Sequence, residues 1–407
     1  MIEQIIKKIL LMIDKVVDGL FFIFIRLYQK TISPDKGILS FWLKGKICAH
    51  EPHCSEYAKQ HLRRYGRRKS LIPISDRIIN CTPSYEKNYD PPYYKIVFFS
   101  SAKIGIPFLK KLINNNKFEV VGVVTQPDQP IGRGHKLQSN IVKSWVEDNH
   151  LDIEVVTPSK IDPDKTRSWN KFYTWLQSKQ PDYLVVISYG KILPIKILNL
   201  PKIGPINIHG SLLPAYRWPS PLQSTFLDDN DKTGMTMMFM DTGVDTWDII
   251  SQKTIPIKFE YTVANLIEQF EKIWPNFLIE TLIDYAKNNI WRTIQDEENT
   301  ILTRKIEKQD GLIDIFNTDI KTIYSKYRAY FLWPKIRFVY RDKRYIVEKL
   351  VLHKHLYEAN LMKPLFYEGH IDKHHIHPSI KELVIKPEWK KSVSYEQWIN
   401  GMQWAWN

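Results

Sequence analysis

The chain is poor in cysteine and lacks any hydrophobic run long enough to cross a membrane. Only three cysteines occur in 407 residues, and all lie in the first fifth of the sequence, at Cys48, Cys54 and Cys81. An odd and sparse count argues against a disulfide scaffold and favours a reducing compartment. No stretch reaches the roughly 18 uninterrupted apolar residues that a spanning helix requires. No small-residue cleavage site follows the apolar N-terminus, which argues against a secretory signal peptide.

The sequence also lacks internal repeats and low-complexity segments, and its composition is that of ordinary globular proteins. Hydrophobic residues make up 43% and charged residues 25%, so a sizeable core is available. The length of 407 residues suggests two or three domains. The formal net charge of +14 favours a polyanionic partner, either nucleic acid or an anionic membrane surface. A generic solvated basic surface is the alternative explanation for this charge.

Changes in charge and in hydrophobic pattern along the sequence predict three domains. Residues 1–92 are basic and are typical of a small helical domain. Its first apolar residues recur at helical spacing, which fits either an amphipathic helix on a membrane surface or a core helix. Residues 93–290 alternate apolar strands with helices, which predicts an α/β domain with a Rossmann-like parallel sheet covered on both faces. Residues 300–407 carry alternating strand patterns, which predict a small C-terminal, OB-like β-barrel.

The stretch NIHGSLLP at 207–214 places two polar side chains on one face of a predicted strand. Residues at i and i+2 of a strand point to the same side, so Asn207 and His209 should project together. Downstream, TGMTMMFMDTGVDTWDII at 233–250 predicts a strand that runs into a loop carrying Asp245. An Asn, a His and an Asp suit a reaction whose nucleophile belongs to the substrate, because they can stabilise an oxyanion and move a proton. A satisfied core histidine and a turn-capping aspartate are the structural alternative.

The longer strings NIHGSLLPAYRWPSPL and TGMTMMFMDTGVDTWD closely resemble the folate-dependent formyltransferases. This resemblance implies that the catalytic residues are Asn207, His209 and Asp245. It also implies a folate-contacting turn formed by Ser211, Leu212, Leu213 and Pro214. In that family a formyl group passes from the co-substrate 10-formyltetrahydrofolate to an amine, and the reaction requires no metal.

Within this family, TQPDQPIGRGHKLQSNIVK at 125–143 resembles the basic loop that contacts the acceptor arm in methionyl-tRNA formyltransferases. Arg133, which lies between two glycines, and Lys136 are therefore expected to contact RNA. LTRKIEKQDGLIDI at 302–315 resembles the start of the C-terminal barrel of these enzymes, so Arg304 and Lys305 are further candidates. The implied partner is initiator methionyl-tRNA. The alternatives are an ordinary mobile loop at 125–143 and a nucleotide-sugar N-formyltransferase as the activity.

Three departures from the family pattern bear on the activity. The first strand ends FFSSAKI at 98–104, without the usual glycine and proline. Trp218 and Trp247 stand where the pattern has glycine, and Trp247 lies close to Asp245. These changes leave a third hypothesis, in which the chain is a degenerate, non-catalytic scaffold associated with a membrane. The presence of all three expected catalytic residues argues against it.

The N-terminal segment CAHEPHCSEYAKQHLRRYG at 48–66 contains four candidate metal ligands, Cys48, His50, His53 and Cys54. Their spacing lacks the paired C-x-x-C of structural zinc sites, and we expect no metal. Over about residues 20–92 the chain instead resembles the membrane-protein insertion efficiency factors, small basic proteins on the cytoplasmic face of the inner membrane. This implies a cytoplasmic, peripheral location, with residues 1–92 contacting an anionic membrane surface or the insertion machinery. No feature of the sequence indicates an oligomeric state.

Overall fold

The computed structural model describes residues 16–17, 19–31, 48, 50–81, 88–131, 136–161, 167–367, 371, 374–388 and 390–403. The chain divides into two compact units, one comprising residues 1–95 and 115–119, the other residues 96–114 and 120–407. Within the described ranges, no helix is both long and apolar enough to cross a membrane.

The first unit is mainly helical, as the sequence predicts. Helix α1 covers residues 19–30, whereas the amphipathic pattern at residues 1–15 falls outside the described residues. Helix α2 (Cys54–Ile79) is broken at Gly66, whose φ of 70° and ψ of 168° are open essentially only to glycine. Ser70 Oγ lies 2.6 Å from the carbonyl oxygen of Gly66 and 2.9 Å from Nδ1 of His61, which joins the two arms of α2. The described residues of this unit also form two short parallel strands, β1 (His50–Glu51) and β2 (Asn88–Tyr89).

A seven-stranded mixed sheet organises the second unit. Its strands are β3 (Tyr94–Phe99), β4 (Phe118–Val124), β7 (Val155–Val156), β8 (Tyr183–Val186), β9 (Gly204–His209), β10 (Lys232–Phe239) and β11 (Ile249–Pro256). The strand order is β11-β10-β9-β8-β3-β4-β7. β3, β8 and β9 pair in parallel, as do β4 and β7, whereas β10 is antiparallel to both of its neighbours. The predicted α/β sheet is confirmed, with an antiparallel pair added at one edge.

Helices bury both faces of this sheet. They are α3 (Gly105–Ile113), α4 (Ile141–Asp148), α5 (Arg167–Lys179), α6 (Ile195–Leu198), α7 (Pro221–Leu227) and α8 (Val263–Ala286). Val97 and Phe99 of β3 belong to one core cluster with Phe172 of α5. Tyr183 of β8 donates its hydroxyl proton to the carbonyl oxygen of Leu282 in α8, at 2.8 Å. Burial on both sides explains why the central strands β3 and β8 are rich in apolar residues.

The strand order reverses direction next to β3. The chain first builds β4 and β7 on one side of β3 and then crosses to build β8 and β9 on the other. In open α/β sheets, ligands bind beyond the carboxyl ends of the strands at such a switch point. The fold alone therefore predicts a site beyond the ends of β3, β8 and β9.

The C-terminal part contains a four-stranded antiparallel sheet, in agreement with the predicted β-rich domain. Its strands are β12 (Arg337–Tyr340), β13 (Lys343–Leu352), β14 (Ile380–Pro387) and β15 (Val393–Ser394), in that order. The remaining helices are α9 (Ile320–Ala329), α10 (Lys354–Ala359) and α11 (Tyr395–Gln403). Two 3-10 turns, Glu297–Asn299 and Lys308–Gly311, precede this region. β12 and β15 form the two ends of the described ladder.

Candidate active site

Asn207 and His209 lie at the carboxyl end of β9, where the fold predicts a site. Asn207 is opposite Met238 of the antiparallel β10, and His209 is opposite Thr236. Both side chains line one cavity of about 1270 Å³, as the two-residue period of a strand predicts. Segments after β3 and β8 complete this side of the cavity, including residues 102–104 and 186–193.

The hydrogen bonds of His209 define which of its nitrogens can exchange a proton. The imidazole is buried, and its Nε2 lies 2.8 Å from the carbonyl oxygen of Tyr216. A carbonyl oxygen can only accept, so Nε2 carries the proton in the neutral ring. Nδ1, which faces Asp245 Oδ2 at 3.7 Å, is then the nitrogen that gains or loses a proton. Tyr216 is itself fixed by a 2.7 Å bond from its hydroxyl to Asp228 Oδ2; burial and that carboxylate raise the pKa of Tyr216 to about 12.

Asp245 is held in an unusual backbone conformation at the edge of the cavity. Its φ is 57°, in the left-handed region that L residues seldom adopt, and its side chain is buried. Oδ2 accepts a hydrogen bond from the backbone N–H of Trp218 at 2.9 Å, and Trp218 is also left-handed, with φ 80°. The same carboxylate oxygen therefore contacts both the backbone of residue 218 and the imidazole of His209.

A buried network that the sequence did not suggest fixes the Asp245 loop. The side chain of Gln295 donates to the backbone carbonyl oxygens of Asp245, at 3.0 Å, and Trp247, at 2.6 Å. The side-chain oxygen of Gln295 accepts hydrogen bonds from Nε and Nη2 of Arg217, at 3.1 and 2.9 Å. Arg217 also forms a two-point ion pair with the exposed carboxylate of Glu297. Gln295 reaches the site because Thr293, two residues earlier, forms an antiparallel bridge with Ile249 at the start of β11. No local sequence motif predicts the contact between Gln295 and the Asp245 loop.

The two tryptophans that replace expected glycines take different positions. Trp247 is buried in the core cluster, where its indole N–H donates to the carbonyl oxygen of Thr242 at 3.3 Å. Trp218 is 44% exposed and lines the cavity. Both tryptophans therefore line the cavity, Trp247 with a buried side chain and Trp218 with an exposed aromatic surface.

The expected folate turn, Ser211–Pro214, is bonded within the protein. Ser211 is fully buried and its hydroxyl donates to the carbonyl oxygen of Ala215 at 2.6 Å. The backbone N–H of Leu213 donates to Thr236 Oγ1, and its carbonyl oxygen accepts from Gln252. The residues that line the cavity include Gly210 but none of Ser211, Leu212, Leu213 and Pro214. In this structure the turn braces the end of β9, and its contact with folate stays a prediction.

The segment expected to contact RNA forms a β-hairpin with a fixed base. Strands β5 (Gln129–Ile131) and β6 (Lys136–Gln138) pair antiparallel, with Ile131 opposite Lys136. Arg133 lies outside the described residues, and of Lys136 only the backbone is described. Asp128 anchors the base by accepting from Lys143 Nζ at 2.9 Å, a hydrogen bond that lowers the pKa of Asp128.

Arg304 and Lys305 are exposed ahead of the C-terminal sheet. Arg304 makes a two-point hydrogen bond to Asp310, at 2.6 and 2.8 Å, which lowers the pKa of Asp310 to about 2. This pairing orients the guanidinium, and the side chain of Arg304 remains 70% accessible to solvent. The guanidinium of Arg304 is therefore paired with a carboxylate and also accessible to solvent.

Three family models match the chain: formyl transferase over residues 94–282, the formyl transferase C-terminal domain over 305–403, and YidD, a membrane protein insertion efficiency factor, over 17–93. The methionyl-tRNA formyltransferase of Caldicellulosiruptor saccharolyticus is 35% identical over 259 residues, 64% of this chain and 80% of that protein. The one from Thermodesulfovibrio yellowstonii is 33% identical over 312 residues, 75% of this chain and 95% of that protein. Among solved structures, methionyl-tRNA formyltransferase from Clostridium thermocellum matches with a TM-score of 0.43 and 15% identity, over 64% of this chain and 94% of that one.

Proposed function

The chain belongs to the methionyl-tRNA formyltransferase family, and we propose that it transfers the formyl group of 10-formyltetrahydrofolate to the α-amine of initiator methionyl-tRNA. The observation that carries this proposal is the convergence of Asn207, His209 and Asp245 on one large cavity at the switch point of the sheet. Within this proposal the chain has three domains, at residues 1–92, 93–290 and 300–407.

The cavity has the size and the chemistry that these two substrates need. Its volume of about 1270 Å³ exceeds the roughly 300–1,000 Å³ of most small-molecule pockets, so a folate and an aminoacyl end can occupy it together. Its apolar lining includes Leu193, Met235 and Met240, which suit a planar ring system and a methionyl side chain. The polar groups suited to the formyl transfer are those of the Asn207–His209–Asp245 constellation.

The bound folate supplies the formyl group, and the protein orients it and stabilises charge. The α-amine of the substrate has a reference pKa near 8, so a useful fraction is neutral and can attack the formyl carbon. A new C–N bond forms while the bond between that carbon and N10 breaks, and the proton that the amine gives up passes through Nδ1 of His209 to N10. Negative charge develops on the formyl oxygen, where the side-chain amide of Asn207 donates, joined by Nδ1 of His209 when it carries the proton.

The hydrogen bond from His209 to the Tyr216 carbonyl assigns the proton-transfer role to Nδ1. Because Nε2 carries the proton that is donated to the Tyr216 carbonyl oxygen, a second proton on the ring resides on Nδ1. Nδ1 lies 3.7 Å from Asp245 Oδ2. The carboxylate orients the imidazole. Asp245 thus acts through His209, and the N–H of Trp218 keeps its carboxylate in place.

The tRNA is proposed to contact two basic regions. One is the β5–β6 hairpin, which carries Arg133 and Lys136, and the other carries Arg304 and Lys305. The ion pair between Asp128 and Lys143 fixes the base of the hairpin. Arginine at these positions can contact phosphate or stack on unpaired bases.

The first unit is proposed to bind an anionic membrane surface from the cytoplasmic side of the inner membrane, alone or with the insertion machinery. Leu20, Ile23, Phe24 and Leu27 are all more than half exposed and share one face of α1, at spacings of three and four residues. The buried side of α1 packs through Ile25 against α2. An exposed apolar face with basic neighbours is typical of a helix that lies in a membrane interface.

The activity is tested with the full-length chain, 10-formyltetrahydrofolate and charged initiator methionyl-tRNA. His209→Ala should abolish formyl transfer, whereas the exposed His355→Ala is the matched control and should retain it. Arg133→Ala should raise KM for the tRNA more than it lowers kcat. Formylation of a nucleotide amino-sugar, without formylation of the tRNA, would replace the proposed substrate. Binding of folate without either reaction would favour the non-catalytic scaffold.

Membrane association is tested by co-sedimentation with phosphatidylcholine vesicles that contain or lack phosphatidylglycerol. The chain should sediment with the anionic vesicles, and Phe24→Glu should weaken this binding. Met362→Glu, which places the same charge at an exposed apolar residue of the second unit, is the control. Equal loss with both variants would contradict a specific role of α1.

A further inference from the structure

The three cysteines of the chain come together in the first unit. Cys48 Sγ lies 3.4 Å from Cys54 Sγ and 3.5 Å from Cys81 Sγ, and all three sulfur atoms lie within 4.8 Å of one another. All three are free thiols. His50 and His53, which the local spacing had suggested beside Cys48 and Cys54, are not part of this group; within the described ranges only cysteines compose it.

The cluster is a product of the tertiary structure rather than of local sequence. A straight helix over Cys54–Ile79 would hold its ends about 39 Å apart at ~1.5 Å per residue. The break at Gly66 folds the second arm of α2 back along the first, so Cys81, just after the helix, meets Cys54 at its start. Arg77 fixes the closure: its guanidinium stacks over the ring of Tyr57 at 4.2 Å.

The same arginine links the segments on either side of the cluster. Arg77 Nη1 donates to Asp90 Oδ2 at 2.8 Å, and Nη2 donates to the carbonyl oxygen of Pro52 at 3.0 Å. The cysteines are therefore held by three chain segments that a buried cation ties together. Positions fixed in this way keep their geometry before any ligand binds, which lowers the entropic cost of binding.

The distances and surroundings suit thiolates around a metal ion. In tetrahedral zinc sites, Zn–S bonds of about 2.3 Å place neighbouring sulfur atoms about 3.8 Å apart. Separations of 3.4 and 3.5 Å for Cys48 are close to this value and far from a covalent S–S bond. The backbone N–H of Cys54 donates to Cys48 Sγ at 3.4 Å, which favours the thiolate of Cys48. Thiols are weak hydrogen-bond partners, so mutual attraction alone does not explain why three of them, one buried and two partly exposed, lie together.

We propose that Cys48, Cys54 and Cys81 bind one thiophilic divalent metal ion, with zinc as the physiological ion. Each thiol gives up its proton on binding, and the three thiolates occupy three corners of a tetrahedron. Cys54 and Cys81 are partly exposed, so a water molecule takes the fourth corner from the solvent side. The ion clamps the start of α2 to the end of its second arm and contributes to the stability of this domain.

The test uses the purified full-length chain, freed of metal with a chelator under reducing conditions and titrated with Zn²⁺ or Co²⁺. One ion should bind per chain, and Co²⁺ should give the sulfur-to-metal charge-transfer band and the intense visible bands of tetrahedral thiolate coordination. Cys48→Ser, Cys54→Ser and Cys81→Ser should each weaken binding by more than about tenfold. His53→Ala is the matched control and should bind as the unaltered chain does.

Two results would overturn the proposal. The first is a chain that binds no Zn²⁺ or Co²⁺ while all three thiols react freely with a thiol reagent. The second is a chain whose mass, when purified without reductant, is lower by two hydrogens, which would identify a redox-active disulfide pair instead of a metal site. Because metal content and spectra are read on the unaltered chain, misfolding of a serine variant cannot decide the outcome. The readout does not depend on formyl transfer.

Discussion

Gln295→Glu tests whether the buried network, rather than the local motif, positions the carboxylate of Asp245. The side-chain amide of Gln295 donates to the carbonyl oxygens of Asp245 and Trp247 and accepts from Arg217. A glutamate keeps the volume and the bonds to Arg217 but removes both donors. The substitution therefore perturbs the attachment of the Asp245 loop and little else.

The expected loss follows from the contacts. The substitution removes two hydrogen bonds that contribute about 1 kcal/mol each. It also leaves two buried carbonyl oxygens facing a carboxylate, which destabilises the folded state by about 1–3 kcal/mol more. The free energy of unfolding should fall by about 3–5 kcal/mol in total. A shift of the loop by about 1 Å moves Asp245 relative to His209, and such misplacement can cost on the order of 100-fold in rate. We expect kcat to fall about 10- to 100-fold with little change in KM for either substrate.

Steady-state formyl transfer, its pH profile and thermal denaturation measure these effects. Lowering the pH protonates the carboxylate introduced by Gln295→Glu and restores one donor, so the loss of kcat should shrink towards acid pH, which a purely structural defect would not do. Glu297→Gln is the control, because it removes the other partner of Arg217 at a side chain that is 69% exposed. Exposed ion pairs contribute about 0–1 kcal/mol, so this variant should be nearly unchanged. Equal effects of the two variants, or an unaltered kcat in Gln295→Glu, would refute the reasoning.

Three further predictions rest on single residues. Trp218→Gly should relieve about 1–2 kcal/mol of strain from the left-handed backbone conformation and so raise the apparent Tm. Loss of the indole from the cavity should raise the KM for the substrate that occupies it. A lower Tm would contradict this reasoning. The pKa of Asp310 is lowered to about 2 by Arg304, so its stabilising contribution is complete at neutral pH and is lost as the pH falls from about 4 to about 2. Asp310→Asn should therefore reduce the difference in urea stability between pH 5 and pH 2, and an unchanged difference would refute it. Gly66→Ala should lower the free energy of unfolding by about 1–3 kcal/mol, because alanine does not adopt this backbone conformation, and should weaken Co²⁺ binding. Unchanged Co²⁺ affinity would argue against the break at Gly66 as the origin of the cysteine cluster.

The strands of the catalytic sheet were predictable because their signal is local. The runs at 94–100, 118–125, 183–189 and 206–209 are predominantly apolar, as strands buried on both faces are, and they correspond to β3, β4, β8 and β9. The edge strand β11 has the sequence IISQKTIP, whose polar centre gives no such signal. Gly66 lies within RRYGRRK at 63–69, a run of positive charge in which no local pattern predicts the break in α2.

The candidate site was predictable to the extent that its residues lie in contiguous motifs. Both resemblances, to the formyltransferases and to the insertion efficiency factors, are confirmed by the family matches. Asn207 and His209 share a strand, so their common face follows from the period alone. Arg217 and Gln295 are 78 positions apart, and Cys81 joins the other cysteines only through the fold of α2. Contacts of that range depend on packing that no local pattern records. The role of Arg133 stays a prediction.

The two left-handed residues at the site explain how tryptophan can replace glycine at position 218. Trp218 and Asp245 are joined by a hydrogen bond between the backbone N–H of the first and the carboxylate of the second, so two conformations that cost about 1–2 kcal/mol each meet at one point. Such strain persists only where the surroundings over-determine it, and here Gln295 and Arg217 supply that constraint. The bond to the carboxylate uses the backbone and not the side chain, so it is available to either residue. Tryptophan therefore preserves the support of Asp245, while its exposed ring adds an aromatic surface to the cavity where a glycine would leave space.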